Sequence, residues 1–212
     1  MPPKVVIFDW DGTLMDSVGH IVDSLMHAAN LYELPLTRHQ AANVIGLGLP
    51  EAMAALFPYH PHWRAEIQAE YSRHYVANSS QTQLFAGVPE LLDALDQQGV
   101  LMAVATGKSR AGLDRVLAQS QTTHRFAITR CAGETQSKPH PQMLQEIVAY
   151  LGVTPDQCIM VGDTTYDLEM AANIAMPSIG VSYGVHPPAL LQQHRPRAVV
   201  DDVPSLHPLL LT

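Results

Sequence analysis

The chain has 212 residues, room for one large domain or a core with a modest second domain. Apolar residues make up 47% and charged residues 15%, which excludes a disordered chain. The net charge of −8 argues against a general binder of nucleic acid or anionic membrane, so a phosphate-bearing ligand would need a local attraction: a metal, a lysine or helix N-termini. Cys131 and Cys158 lack metal-like spacing and are expected as core thiols in a reducing cytoplasm, although one disulfide would also fit. The N-terminus is too weakly apolar for a signal peptide, and no run approaches the ~18 residues of a spanning helix.

In chain order, Val5–Phe8 is a short apolar run that ends in Asp9 and Asp11, with Gly12 and Thr13 turning the chain. From about residue 18 to 82 there is no strand pattern. Ile21, Leu25, Ala28 and Tyr32 share a helical face, and 41–45, 51–57 and 63–76 also read as helices punctuated by prolines. Residues 89–98 carry Leu91, Leu92 and Leu95 at helical spacing. Apolar runs at 100–105, 126–129, 158–161, Ser178–Val181 and Ala198–Val200 read as buried parallel strands, with a helix at 141–151 between two of them. The alternation predicts an α/β fold: a Rossmann-like parallel sheet built from residues 1–16 and 83–212, with a small all-helical cap at 17–82 inserted after the first strand.

Ligands of open parallel sheets bind beyond the carboxyl ends of the strands. Those ends offer Asp9 and Asp11, then Thr106-Gly107-Lys108, then, by way of a loop, Ser137-Lys138-Pro139, then Gly162-Asp163 with Asp167. Asp9 and Asp11 sit two apart, so an extended backbone puts both side chains on one side, while Trp10 is expected to turn into packing. Asp163 and Asp167 sit four apart and would share a helical face if a helix began near Asp163. Converging carboxylates repel and raise one another's pKa values, and a divalent cation resolves this. Oxygen ligands beside a phosphate favour Mg²⁺. Thr106 offers a hydroxyl to a phosphate oxygen, Gly107 lets the backbone approach, and Lys138 supplies positive charge.

These motifs, in this order and across nearly the whole chain, resemble the haloacid dehalogenase superfamily in its phosphatase branch with a helical cap; phosphoglycolate phosphatase-like enzymes are the nearest named group. The resemblance implies that Asp9 is the nucleophile that becomes an aspartyl phosphate. It makes Asp11 the acid that protonates the leaving alcohol and then activates water. Mg²⁺ would be held by the carboxylates of Asp9 and Asp163 and the backbone carbonyl of Asp11. Thr106, Gly107 and Lys138 would grip the phosphate, and Asp167 would support the site by holding a metal-bound water or orienting its neighbours. Branches that cleave carbon–halogen bonds lack the second acid, so Asp11 favours phosphate chemistry.

The substrate expected is a small phosphorylated metabolite, with no nucleic-acid or membrane partner. A sugar-phosphate mutase is the alternative, and a catalytically silent binding module ranks below both because Asp9 and Asp11 are present. The resemblance places Gly46-Leu47-Gly48 in a cap loop facing the site. Residues 43–50 carry no charged side chain, so a cap that reads a carboxylate would need its charge elsewhere, with Arg38 and Arg64 as the candidates.

Overall fold

A computed structural model describes residues 2–79 and 82–212. Six parallel strands form the central sheet: β1 (Val5–Phe8), β4 (Leu101–Thr106), β5 (Ile128–Cys131), β6 (Cys158–Gly162), β7 (Ser178–Val181) and β8 (Ala198–Val200). Their order is β5-β4-β1-β6-β7-β8. β1 is central, with Phe8 level with Val104 on one side and Val161 on the other. The chain builds outward from β1 through β4 to β5, then crosses back to β6. This reversal beside β1 opens a crevice at the strand ends.

The period-two alternation of β1 fills two separate cores. Val6 and Phe8 enter one layer with Leu91, Leu95, Leu113 and Val116, from helices α5 (Val88–Gln97) and α6 (Arg110–Gln119). Val5 and Ile7 enter the other with Leu144, Ile147 and Met170, from α7 (Gln142–Leu151) and α8 (Thr165–Ala172). Both faces of the sheet are covered, which explains the uninterrupted apolar strands. Cys131 lies in the first layer and Cys158 in the second, and neither forms a disulfide; burial pushes their thiols up to about 12 and about 11.

Helices α1 (Val18–Leu31), α2 (Arg38–Asn43), α3 (Leu49–Leu56) and α4 (Arg64–Ala77) gather around a third apolar cluster that includes Ile21, Leu25, Ala28, Met53 and Ile67. Tyr32, expected on the same face, packs only at its edge. At the stem of this helical unit, β2 (Met15–Asp16) pairs antiparallel with β3 (Gln83–Leu84), so the chain leaves and re-enters the sheet domain side by side. Two-residue strands carry no readable periodicity, and sequence analysis passed over them. The third core strand begins at Ile128 because a 3₁₀ turn, Thr123–Arg125, occupies the approach; Phe126 is buried but outside the ladder. Among the described residues no helix is long and apolar enough to cross a membrane.

Candidate active site

The predicted residues converge at the carboxyl ends of β1, β4 and β6. Asp9, 1% exposed, follows β1 and is anchored by its N–H donating to the Val161 carbonyl at 2.9 Å. Lys138, brought in by the loop after β5, places its Nζ 2.8 Å from Asp9 Oδ1 and 2.6 Å from Asp167 Oδ1. Carboxylate oxygens of Asp9, Asp163 and Asp167 lie within 4.8 Å of one another, and all three residues are buried. Three carboxylates face one ammonium, so the cluster carries two uncompensated negative charges when fully ionised.

Burial raises the Asp9 carboxyl to about 7, with Asp167 and Asp11 adding to the rise and Lys138 opposing it. Burial also holds Asp163 well above the usual carboxylate range, reinforced by Asp9 and Asp167. For Lys138 burial disfavours the ammonium, but Asp167 and Asp9 outweigh it and raise its pKa.

The helix expected to start near Asp163 starts two residues later. Thr164 is its N-cap, so Asp163 belongs to the preceding turn and Asp167 to the first helical turn; the two do not stack on one helical face. Asp167 closes a capping box: its Oδ2 accepts from the Thr164 N–H at 3.1 Å and from Thr164 Oγ1 at 2.7 Å. Its other oxygen is taken by Lys138. Asp167 therefore braces the lysine and the helix start. Asp163 accepts from Thr13 Oγ1 at 3.0 Å and from the Val185 N–H at 2.8 Å. Gly12, at φ +81°, backs onto it: a Cβ there would stand 2.2 Å from Asp163 Oδ2.

These residues suit a hard divalent cation. The donors are all oxygens, two negative charges are unmatched, and Asp9 Oδ2 is buried with no hydrogen-bond partner. Asp9 Oδ2 is free and each Asp163 oxygen accepts a single hydrogen bond, so both residues keep lone pairs to give, whereas Asp167 spends one oxygen on Lys138 and the other on two bonds from Thr164.

The Asp11 carboxylate lies outside that trio, in a setting of its own. Ser17 Oγ donates to it at 2.6 Å, and Lys108 Nζ lies 3.0 Å from each oxygen. Lys108 also donates to Tyr75 Oη at 3.3 Å. The two acids separated by one residue are thus matched to two different lysines. Trp10 between them is buried in the core, edge-on to Phe126, as expected.

Thr106 ends β4 and is 1% exposed; its Oγ1 accepts from the Lys108 N–H at 3.2 Å. At Gly107 the backbone that comes close is the cap's own: a Cβ there would stand 2.4 Å from the Leu47 carbonyl oxygen and 2.6 Å from that of Gly46. The cap loop is further seated by the Gly48 N–H donating to Ser137 Oγ at 2.8 Å and by Tyr166 Oη donating to the Asn43 carbonyl at 2.8 Å. Between cap and core lies a cavity of about 310 Å³ that reaches Asp9 and Asp11 and is walled on the cap side by Ile21, Val44, Tyr71 and Tyr75.

A family model for haloacid dehalogenase-like hydrolases matches residues 6–181. The chain belongs to the haloacid dehalogenase-like hydrolases. It is 32% identical to a phosphoglycolate phosphatase of Agrobacterium fabrum over 97% of this chain and 91% of that one. It is 33% identical to the protein called probable phosphatase IndB of Dickeya dadantii over 93% and 89% of the two. In fold it is similar to a Bacteroides fragilis protein assigned as a haloacid dehalogenase-like hydrolase, with a TM-score of 0.89 at 24% identity over 96% of this chain and 99% of that one. Family and relatives together make this chain a phosphoric monoester hydrolase on the haloacid dehalogenase-like scaffold.

Sequence reasoning missed some of the site. Lys108 was in view, directly after Thr106-Gly107, but its pairing with Asp11 was not. Thr13, Ser17, Thr164 and Val185 gave no signal beyond their places near the motifs. Neither arginine offered as a reader of substrate charge reaches the cavity. Arg38 pairs with Asp23 at 2.6 Å on the surface, and Arg64 donates to the Phe57 and Pro58 carbonyls.

Proposed function

We infer that this haloacid dehalogenase-like phosphatase is Mg²⁺-dependent, takes the phosphoryl group of a small phosphomonoester onto Asp9, and passes it to water. One observation carries the reading: a buried Asp9 carboxylate, one oxygen against Lys138 and the other without a hydrogen-bond partner, sits beside Asp163 in a cluster short of two positive charges.

In this mechanism Asp9 attacks phosphorus and the ester oxygen leaves from the opposite side. Asp11 protonates that oxygen, and its conjugate base then takes a proton from the water that cleaves the acyl phosphate. One residue serves both steps because the second reverses the proton demand of the first. Lys138, Thr106 Oγ1 and the Gly107 N–H bind the equatorial oxygens, and Asp167 keeps the Lys138 ammonium in place. The carboxylates of Asp9 and Asp163 with the backbone carbonyl of Asp11 would hold Mg²⁺. The ion would neutralise charge on the transferring group and keep Asp9 ionised at neutral pH. The helical cap, taken as 17–82 with residues 80 and 81 outside the described part, shuts the site from water, and 1–16 with 83–212 supplies the chemistry.

Substrate candidates are phosphoglycolate and sugar phosphates. The test is phosphate release from a panel of phosphomonoesters after chelation and after Mg²⁺ is restored, with acid-quenched protein weighed for a phosphoryl group on Asp9. Activity that survives chelation, or turnover with no phosphoryl-enzyme under any quench, contradicts the reading. Isomerisation of a hexose phosphate without phosphate release would favour a mutase.

A further inference from the structure

The cavity is lined by one charged group that has neither a role in the mechanism nor an ion partner among the described residues. Arg115 lines it from the core side, and its Nε is buried with no hydrogen-bond partner. Among the described residues no carboxylate pairs with it. Its guanidinium carbon lies 5.9 Å from the centroid of the Tyr75 ring, the ring whose hydroxyl receives Lys108. Arg115 as a whole is half-buried, so its guanidinium is partly withdrawn from water and its shielded Nε lacks an acceptor unless a ligand supplies one.

Its place follows from helix geometry. Gly112 and Arg115 lie three apart on α6 and so share a helical face toward the cavity, while Lys108 reaches the same cavity from just before the N-cap Ser109. At Gly112 a Cβ would stand 3.1 Å from Ser109 Oγ and 3.9 Å from Lys108 Cε, so a side chain there would crowd the lysine. Lys108 is committed to Asp11. Arg115 is not committed, and it shares the Tyr75 ring with Lys108, 5.9 Å and 4.9 Å from its centroid respectively. The wall it shares with the cap is apolar and aromatic: Ile21, Leu25, Val44 and Tyr71.

We propose that Arg115, carried by the core helix α6 and not by the cap, is a specificity-determining residue that binds a second anionic group on the leaving portion of the substrate. The substrate class is a phosphomonoester whose alcohol has an apolar stretch ending in a carboxylate or a further phosphate. A cavity of about 310 Å³ exceeds what a two-carbon acid needs. The planar guanidinium donates bidentately to either anion. This inference rests on the phosphatase reading and refines it.

The test compares kcat/KM for phenyl phosphate, para-carboxyphenyl phosphate, para-phenylene bisphosphate and para-aminomethylphenyl phosphate. Wild type is measured beside Arg115→Gln and Arg115→Glu, so that intrinsic leaving-group reactivity cancels. Arg115→Gln should lower the anionic-to-neutral ratio by about 10- to 100-fold, the range for a lost charge-assisted pair. Arg115→Glu should shift preference toward the aminomethyl ester, which mere damage to the fold would not do. The larger change between the carboxylate and bisphosphate arms names the anion. Ratios that stay put in both variants overturn the assignment of Arg115. If neither variant folds, wild type decides: KM for an anionic ester about tenfold below that for phenyl phosphate supports the assignment, and equal KM values overturn it. Wild type that releases phosphate from no ester, phenyl phosphate included, refutes the phosphatase reading itself.

Discussion

Replacing Asp9, the proposed nucleophile, should stop the enzyme and stabilise its metal-free fold. Asp9 is buried, and its carboxyl is raised from 3.8 in the unfolded chain to about 7 in the folded one. A carboxylate with a raised folded pKa makes the native state the better proton binder between those values, so stability falls as pH rises from about 4 to 7. Integrated to pH 7, that difference costs roughly 4 kcal/mol. Asp9→Asn removes the ionisation and keeps an oxygen for the Lys138 ammonium. Its new amide N–H group needs an acceptor, for which the Asp163 carboxylate is in the right neighbourhood; an unmet donor would cost about 1–3 kcal/mol. The net expectation is a gain of about 2 kcal/mol, or ~4–8 °C in melting temperature for a chain of this size. The assay is thermal unfolding at pH 7 in chelator, beside phosphate release with Mg²⁺. The gain should shrink toward pH 5, where wild-type Asp9 is itself protonated. A melting temperature lowered by the substitution in chelator would refute the charge accounting, and substantial residual turnover would refute the covalent role of Asp9.

Two further tests bear on the cap. Gly107→Ala would drive a methyl into the Gly46 and Leu47 carbonyls, so the loop must lift; kcat/KM should fall by about tenfold or more while the melting temperature moves little, and unchanged kinetics would mean that the loop need not seat there. His74 on α4 stacks on His27 at 4.2 Å and hydrogen-bonds to Ser24 Oγ. Partial burial, then His27 and His20, lower its pKa against the opposing pull of Glu70 and Asp23. Because the unfolded chain takes up this proton first, its contribution is intact above about pH 6.5 and declines as pH falls below that value. His74→Gln should therefore flatten the acid side of the melting-temperature profile, and parallel profiles would count against it.

Much of this protein was written locally. Val5–Phe8 had to be a buried strand because four apolar residues stop at two acids. The order of motifs at successive strand ends brought Asp9, Thr106, Lys138 and Asp163 to one place, because parallel strands share a direction and so their carboxyl ends share an edge. The family followed from the same residues. What local pattern could not fix was which groups pair across that edge. Lys108 and Lys138 look alike in sequence, yet one serves Asp11 and the other is shared by Asp9 and Asp167, since charge partners are chosen by packing distances that span about a hundred residues. Asp163 and Asp167 separate into a turn residue and a helix brace only once Thr164 caps the helix. Arg115 was an unremarked helix residue until the fold turned its face toward the cap. Arg115 of the core, and not Arg38 or Arg64, lines the cavity, because the tertiary structure, not the loop sequence, decides which cation is left without a partner.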